Sequence, residues 1–174
     1  MRPLSRTAER IRVRGRVQGV GFRPHLARLA HDLGLEGWAR NDGRGAVAHV
    51  EGDPESIEAF ARRVLDDAPP AAVVESVTRE RVGVEERVGF EIVTSDDGGS
   101  PTVQVPPDLA TCDACLSDLR DPDSRFRGYP FLNCTQCGPR YSVLEGLPYD
   151  RAQTTLAPWP MCPPCAREYA DPLD

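Results

Sequence analysis

The sequence predicts an α+β protein: a β-α-β-β-α-β layer of sheet and helices, followed by a small irregular module that needs metal to fold. Three observations predict it. Over residues 10–93 the apolar residues switch between period 2 and period 3.6 in that order. A stretch of linker composition, TSDDGGSPT (94–102), then interrupts the pattern. Beyond it prolines and cysteines crowd together and no long amphipathic segment remains, so little apolar surface can be buried there without a metal.

Each element has its own warrant. In Arg10–Val17, Ile11, Val13 and Val17 alternate with Arg10, Arg12, Arg14 and Arg16, the pattern of a strand with one buried face. Phe22, Leu26, Leu29, Ala30 and Leu33 fall on one helical face, with Pro24 in the first turn and Gly34 as the stop. Leu35–Asn41 and Arg44–Glu51 read as two strands joined at the hairpin signal NDG. Asp53-Pro54 caps a second helix whose core face is Ile57, Phe60, Ala61, Val64 and Leu65. Pro69-Pro70 breaks it before a Val-rich strand, and GFEIV (89–93) adds a possible edge strand. The order is the split βαβ, ferredoxin-like arrangement, with two helices on one face of an antiparallel sheet. The expected domains are residues 1–93, a linker at 94–107 and a cysteine-rich region at 108–174.

Charge and composition exclude several classes. The 174 residues carry 27 acidic and 21 basic side chains, and every basic one is arginine. Residues 1–93 balance, while residues 94–174 hold 6 Arg against 12 Asp plus Glu. That acidic half would be repelled by nucleic acid, so no nucleic-acid partner is expected. No apolar run approaches the roughly 20 residues of a membrane span. The N-terminus also lacks the apolar stretch of a signal peptide. A cytoplasmic protein is expected, in which six cysteines in three pairs bind metal rather than form disulfides.

CDAC (Cys112, Cys115) and CTQC (Cys134, Cys137) give C-x2-C-x18-C-x2-C. Each tight turn aims two sulfurs at one ion, and two such turns complete the tetrahedral S4 shell that Zn²⁺ accepts. The alternative, a redox CxxC, belongs at a helix start in a thioredoxin-like unit, a context absent here. A closed S4 site has no open position, so this Zn²⁺ is structural. Sliding residues 112–124 forward by 50 places Cys112 on Cys162, Cys115 on Cys165, Asp118 on Glu168 and Asp121-Pro122 on Asp171-Pro172, an internal repeat. The second copy would continue past Asp174, so the sequence reads as part of a longer protein, cut within its second zinc module. Cys162 and Cys165 are expected metal ligands there. The three histidines (His25, His31, His49) lie in the first half; His31 follows its helix's apolar face as a boundary residue rather than a base, and His49 is on the solvent side of its strand.

GRVQGVGFR (15–23) joins the first strand to the first helix. It is neither a Walker A loop nor G-x-G-x-x-G. Its glycines let backbone N–H groups turn inward toward the positive end of a helix, and Arg23 can grip phosphate oxygens with its guanidinium fork. A plain flexible turn beside a solvated arginine is the competing reading. Asn41 ends the strand before the hairpin. An Asn before Asp-Gly is ordinarily a turn former. The inner strands of a ferredoxin-like sheet lie side by side, however, so Asn41 is expected to approach the turn and orient a water.

GRVQGVGFR followed by GWARNDGRGAVAHVEGD resembles the acylphosphatase family over roughly residues 8–93. The resemblance implies an acylphosphatase-type sandwich in which Arg23 binds phosphate and Asn41 positions the attacking water. The backbone of Gln18, Gly19, Val20, Gly21 and Phe22, with Arg23, would cradle the phosphoryl oxygens. PDLATCDACLSDLRDPDSRFRGYPFLNCTQCGPRYS, with LPYDRAQTTLAPWPMCPPCAREYADPLD, resembles the zinc-finger region of the carbamoyltransferase family of nickel–iron hydrogenase maturation. That family has four CxxC pairs, of which three are here, and His25 stands where an aromatic is common. It implies carbamoyl phosphate as substrate, cleaved to carbamate and phosphate. ATP and a HypE-like acceptor protein would be used only by domains outside this chain, on the way to the cyanide ligands of the metal site. Other readings stay open: a stand-alone acylphosphatase-like protein, a protein-binding zinc module without turnover, and a small-molecule sensor on the same fold.

Overall fold

The computed structural model describes residues 6–95, 109–134, 136–138, 140–147, 149–171 and 173. Its first part runs β1 (Thr7–Arg16), α1 (Phe22–Asp32), β2 (Glu36–Asp42), β3 (Gly45–Gly52), α2 (Pro54–Asp66), β4 (Val73–Val82) and β5 (Phe90–Ile92). The sheet order is β4-β1-β3-β2-β5. The first four strands are antiparallel to their neighbours, and β5 adds to β2 in parallel, pairing Gly37 with Phe90 and Ala39 with Ile92. This is the expected ferredoxin-like layer with the edge strand present. The expected linker falls almost wholly on 96–108, outside the described residues.

The local signals act as the sequence indicates. Asp53 accepts the Glu55 and Ser56 backbone N–H groups at the start of α2, with Pro54 following. Ile11, Val13, Ala48 and Val50 of the sheet pack on Phe22, Leu26, Ile57 and Phe60 of the helices. Leu65 departs from the expected core face: it is 51% exposed, in the last turn of α2.

The opposite face of the sheet also departs from expectation. His49 is fully buried rather than solvent-facing, because the β4–β5 connection folds over it. Its Nε2 lies 2.7 Å from Glu51 Oε1, and its ring stacks on Trp38. Glu51, itself fully buried, also accepts hydrogen bonds from the Arg6 guanidinium and the Glu85 backbone N–H. Burial alone raises the Glu51 carboxyl, but hydrogen bonds from His49, Arg6 and Glu85 outweigh it and hold the group at about 2. A depressed carboxylate stabilises the fold above its unfolded value and loses that contribution as pH falls through the folded one. Glu51→Ala is therefore expected to cost about 3–5 kcal/mol at neutral pH, since it strands two donors in the interior. The deficit relative to wild type should shrink below pH 4 in denaturant titrations. A deficit that stays constant down to pH 2 would remove the ionised Glu51 from this account.

After residue 108 the described elements are two eight-residue helices, α3 (Asp113–Arg120) and α4 (Pro163–Ala170), joined by short 3-10 turns. They lie 50 residues apart, and the N-cap of each is the first cysteine of a pair, Cys112 and Cys162. The sequence repeat is thus a structural one. The two parts touch: Leu109 packs against the sandwich core, and Gly138 approaches Val20 and Ala71.

Candidate functional site

β1 delivers the chain into the turn at residues 17–21, which opens α1. Gly19 and Gly21 both take φ 70°, in the left-handed region where a side chain would be strained. Gly21 is the N-cap of α1, and no side chain caps the helix's first amides. The positive end of the helix therefore faces the turn. The buried Gln18 side chain pins this turn from beneath. Its Nε2 donates to the carbonyls of Asp42 (2.8 Å) and Gly45 (3.1 Å), and its Oε1 accepts the Tyr149 backbone N–H (3.1 Å).

Asn41 reaches the same place by a different route from the one expected. Its strand does not lie beside β1, because β3 stands between them. The turn instead crosses the end of β3, where Asn41 pairs with Ala46. The Asn41 side chain is buried, and among the described residues neither its Nδ2 nor its Oδ1 has a hydrogen-bond partner. Arg23, in the first turn of α1, forms an ion pair with Asp150 and donates to Ser95 Oγ at 3.4 Å. The Ser95 hydroxyl donates to the other Asp150 oxygen at 2.5 Å.

Arg23, Asn41 and Asp150 line an open pocket of about 200 Å³. Gly19, Gly21, Phe22, Arg23 and Asn41 line one side; Tyr149, Asp150, Arg151 and Tyr169 line the other. Of the residues expected to hold phosphate, the side chains of Gln18 and Val20 point into the fold, so only their backbone could serve. Asp150, Ser95 and Tyr149 were not singled out by the sequence. Asp150 lies 127 residues from Arg23 and carries no local motif.

The cysteines form the second cluster. Cys112, Cys115, Cys134 and Cys137 place all four sulfurs within 4.8 Å of one another. The Cys112–Cys134 separation is 3.5 Å, and Cys115–Cys137 and Cys134–Cys137 are each 3.9 Å. A tetrahedron with Zn–S bonds of about 2.3 Å has edges of roughly 3.8 Å, so the set fits Zn²⁺. Arg140 donates to Cys137 Sγ at 3.2 Å. Burial raises the Cys115 and Cys134 thiols; at Cys137 hydrogen bonds within the cluster and the charge of Arg140 outweigh burial and lower the thiol. Cys162 and Cys165 sit at the start of α4, and among the described residues no third donor completes a shell with them.

Two family models match parts of the chain. An acylphosphatase model covers residues 9–92, and a model described as the HypF finger covers residues 111–144. The acylphosphatase of Thermococcus kodakarensis is 45% identical over 89 residues, which are 51% of this chain and 93% of that protein. The chain belongs, through this sandwich, to the acylphosphatase family. More particularly, an acylphosphatase domain followed by a HypF finger matches the N-terminal part of carbamoyltransferase HypF. The Rhodobacter capsulatus carbamoyltransferase HypF is 49% identical over 168 residues, 96% of this chain and 22% of that protein. A crystal structure of full-length HypF in its phosphate- and nucleotide-bound form superimposes with a TM-score of 0.91 at 43% identity, over 99% of this chain and 23% of that one. The chain thus spans about a fifth of the length of the carbamoyltransferases it matches. No helix among the described residues is long and apolar enough to cross a membrane.

Proposed function

We propose that the cavity between Arg23 and Asn41 is an acyl-phosphate hydrolase site, and that its substrate is carbamoyl phosphate. Arg23 and the amides of the turn at residues 18–22 hold the phosphoryl oxygens. Asn41 holds a water against the phosphorus. The water oxygen bonds to phosphorus, the bond from phosphorus to the acyl oxygen breaks, and its electron pair leaves on carbamate. The water's proton passes to a phosphoryl oxygen. The cysteine cluster holds Zn²⁺ as a structural ion. In the longer proteins this chain resembles, carbamate would be activated with ATP and its carbamoyl group passed to a HypE-like acceptor by parts outside these residues.

One observation carries the reading. A buried amide with both polar atoms unpartnered costs about 1–3 kcal/mol, and here it lines the same cavity as an arginine at a helix N-terminus. A ligand or water would satisfy it. Phosphate release from carbamoyl phosphate and from benzoyl phosphate tests the site directly: both should be cleaved, and failure on both would sink the reading.

Asn41→Ala sharpens the test. Its kcat should fall about 10²-fold while inorganic phosphate binds within about threefold of wild type, since the amide acts on the water. The variant should also melt no lower than wild type, because it removes an unsatisfied buried group. Equal losses of rate and phosphate affinity would make Asn41 a binding residue instead.

A further inference from the structure

The acylphosphatase match ends at residue 92, yet the far wall of the cavity is built by Tyr149, Asp150 and Arg151. An acyl phosphate held by Arg23 and the glycine turn would have that wall beside its acyl group. There it meets a carboxylate, because Asp150 pairs with Arg23 and is anchored on the Ser95 hydroxyl. A carboxylate beside an incoming phosphate dianion is repulsive unless the substrate brings a donor to it. Carbamoyl phosphate has two amide N–H donors where acetyl phosphate has a methyl group.

We propose that Asp150 is a specificity-determining residue, which yields Arg23 to the phosphate and then accepts an N–H of the carbamoyl group. The inference rests on the cavity's being an acyl-phosphate site, and adds that the zinc-finger region selects the acyl half. Ser95 keeps one Asp150 oxygen in place while the other turns to the substrate. Displacement of Asp150 from Arg23 costs every acyl phosphate alike; only an amide regains it through a charge-assisted hydrogen bond.

The test uses ratios, in which the shared cost cancels. Phosphate release from carbamoyl phosphate and acetyl phosphate is measured on the whole chain. Calorimetric binding of phosphonoacetamide and 2-oxopropylphosphonate, which also differ only by NH₂ against CH₃, reads the same preference without turnover. Wild type should favour the amide member of each pair by about tenfold or more, the discrimination of one hydrogen bond to a charged group. Asp150→Ala should reduce both ratios to near one while cleavage of acetyl phosphate rises, since Arg23 is no longer occupied. Ser95→Ala, which leaves the carboxylate but frees it, should reduce the ratios partway. Binding preference without hydrolysis would remove the catalytic reading and leave this one standing. Equal binding of the two phosphonates by wild type, binding of neither, or equal loss on both in Asp150→Ala would overturn it.

Discussion

Arg23→Ala is expected to slow phosphate release from carbamoyl phosphate by at least about 10³-fold, or roughly 4 kcal/mol of transition-state stabilisation. The magnitude follows from charge. The amides of the glycine turn and the end of α1 present partial dipoles, whereas Arg23 brings a full positive charge and two parallel N–H donors. Its partner in the described structure is a carboxylate, an anion seated where the phosphoryl oxygens are proposed to lie. Arg23→Lys should remain at least about 10²-fold slow, because a point ammonium cannot make the paired contact. Thermal melts should stay within a few degrees of wild type, since the side chain lies at the cavity rim and outside the apolar core. An Arg23→Ala variant that turns over at the wild-type rate would remove phosphate from this cavity.

The parts of the fold governed by one-sided burial were legible. Ile11 and Val13 alternate with arginines because only one face of β1 meets the helices, and Ile57, Phe60 and Val64 recur because only one side of α2 does. His49 was not legible, since alternation says which face a residue takes and not whether a loop later covers that face. Leu65 keeps the helical phase but lies in the last turn of α2, where it is half exposed. Of the candidate pocket, the glycine turn, Arg23 and Asn41 could be singled out because each is a local signal or fits a family pattern. Asp150 could not: its meeting with Arg23 is made by the packing of two regions distant in sequence. The Cys112–Cys137 cluster sits at the other extreme, since two tight turns with a fixed spacing specify the geometry almost alone.

Stripping the metal should produce the other large effect. Under reducing conditions the chain is expected to hold one tightly bound zinc, on Cys112, Cys115, Cys134 and Cys137, whose sulfurs already stand at tetrahedral edge lengths. Any second ion, on Cys162 and Cys165, would have two thiolates and should yield first to a weak chelator. Structural zinc contributes on the order of 10 kcal/mol in small metal modules, and the described residues beyond 108 bury few apolar side chains of their own. Removing the tight ion should therefore unfold that region. β1 to β5 should persist, because Ile11, Phe22, Leu26, Ile57 and Phe60 form a core without it. The loss should still reach the candidate site, since Tyr149 and Asp150 are held there from the zinc-dependent side, by Gln18 and Arg23. Hydrogen exchange on the chelated chain should show fast amides in 109–171 and protected ones in β1, β3 and α2. Two equally tight zincs per monomer would require a non-cysteine ligand for the second. Loss of protection in β1 and β3 together with the finger would mean that the sandwich does not stand alone.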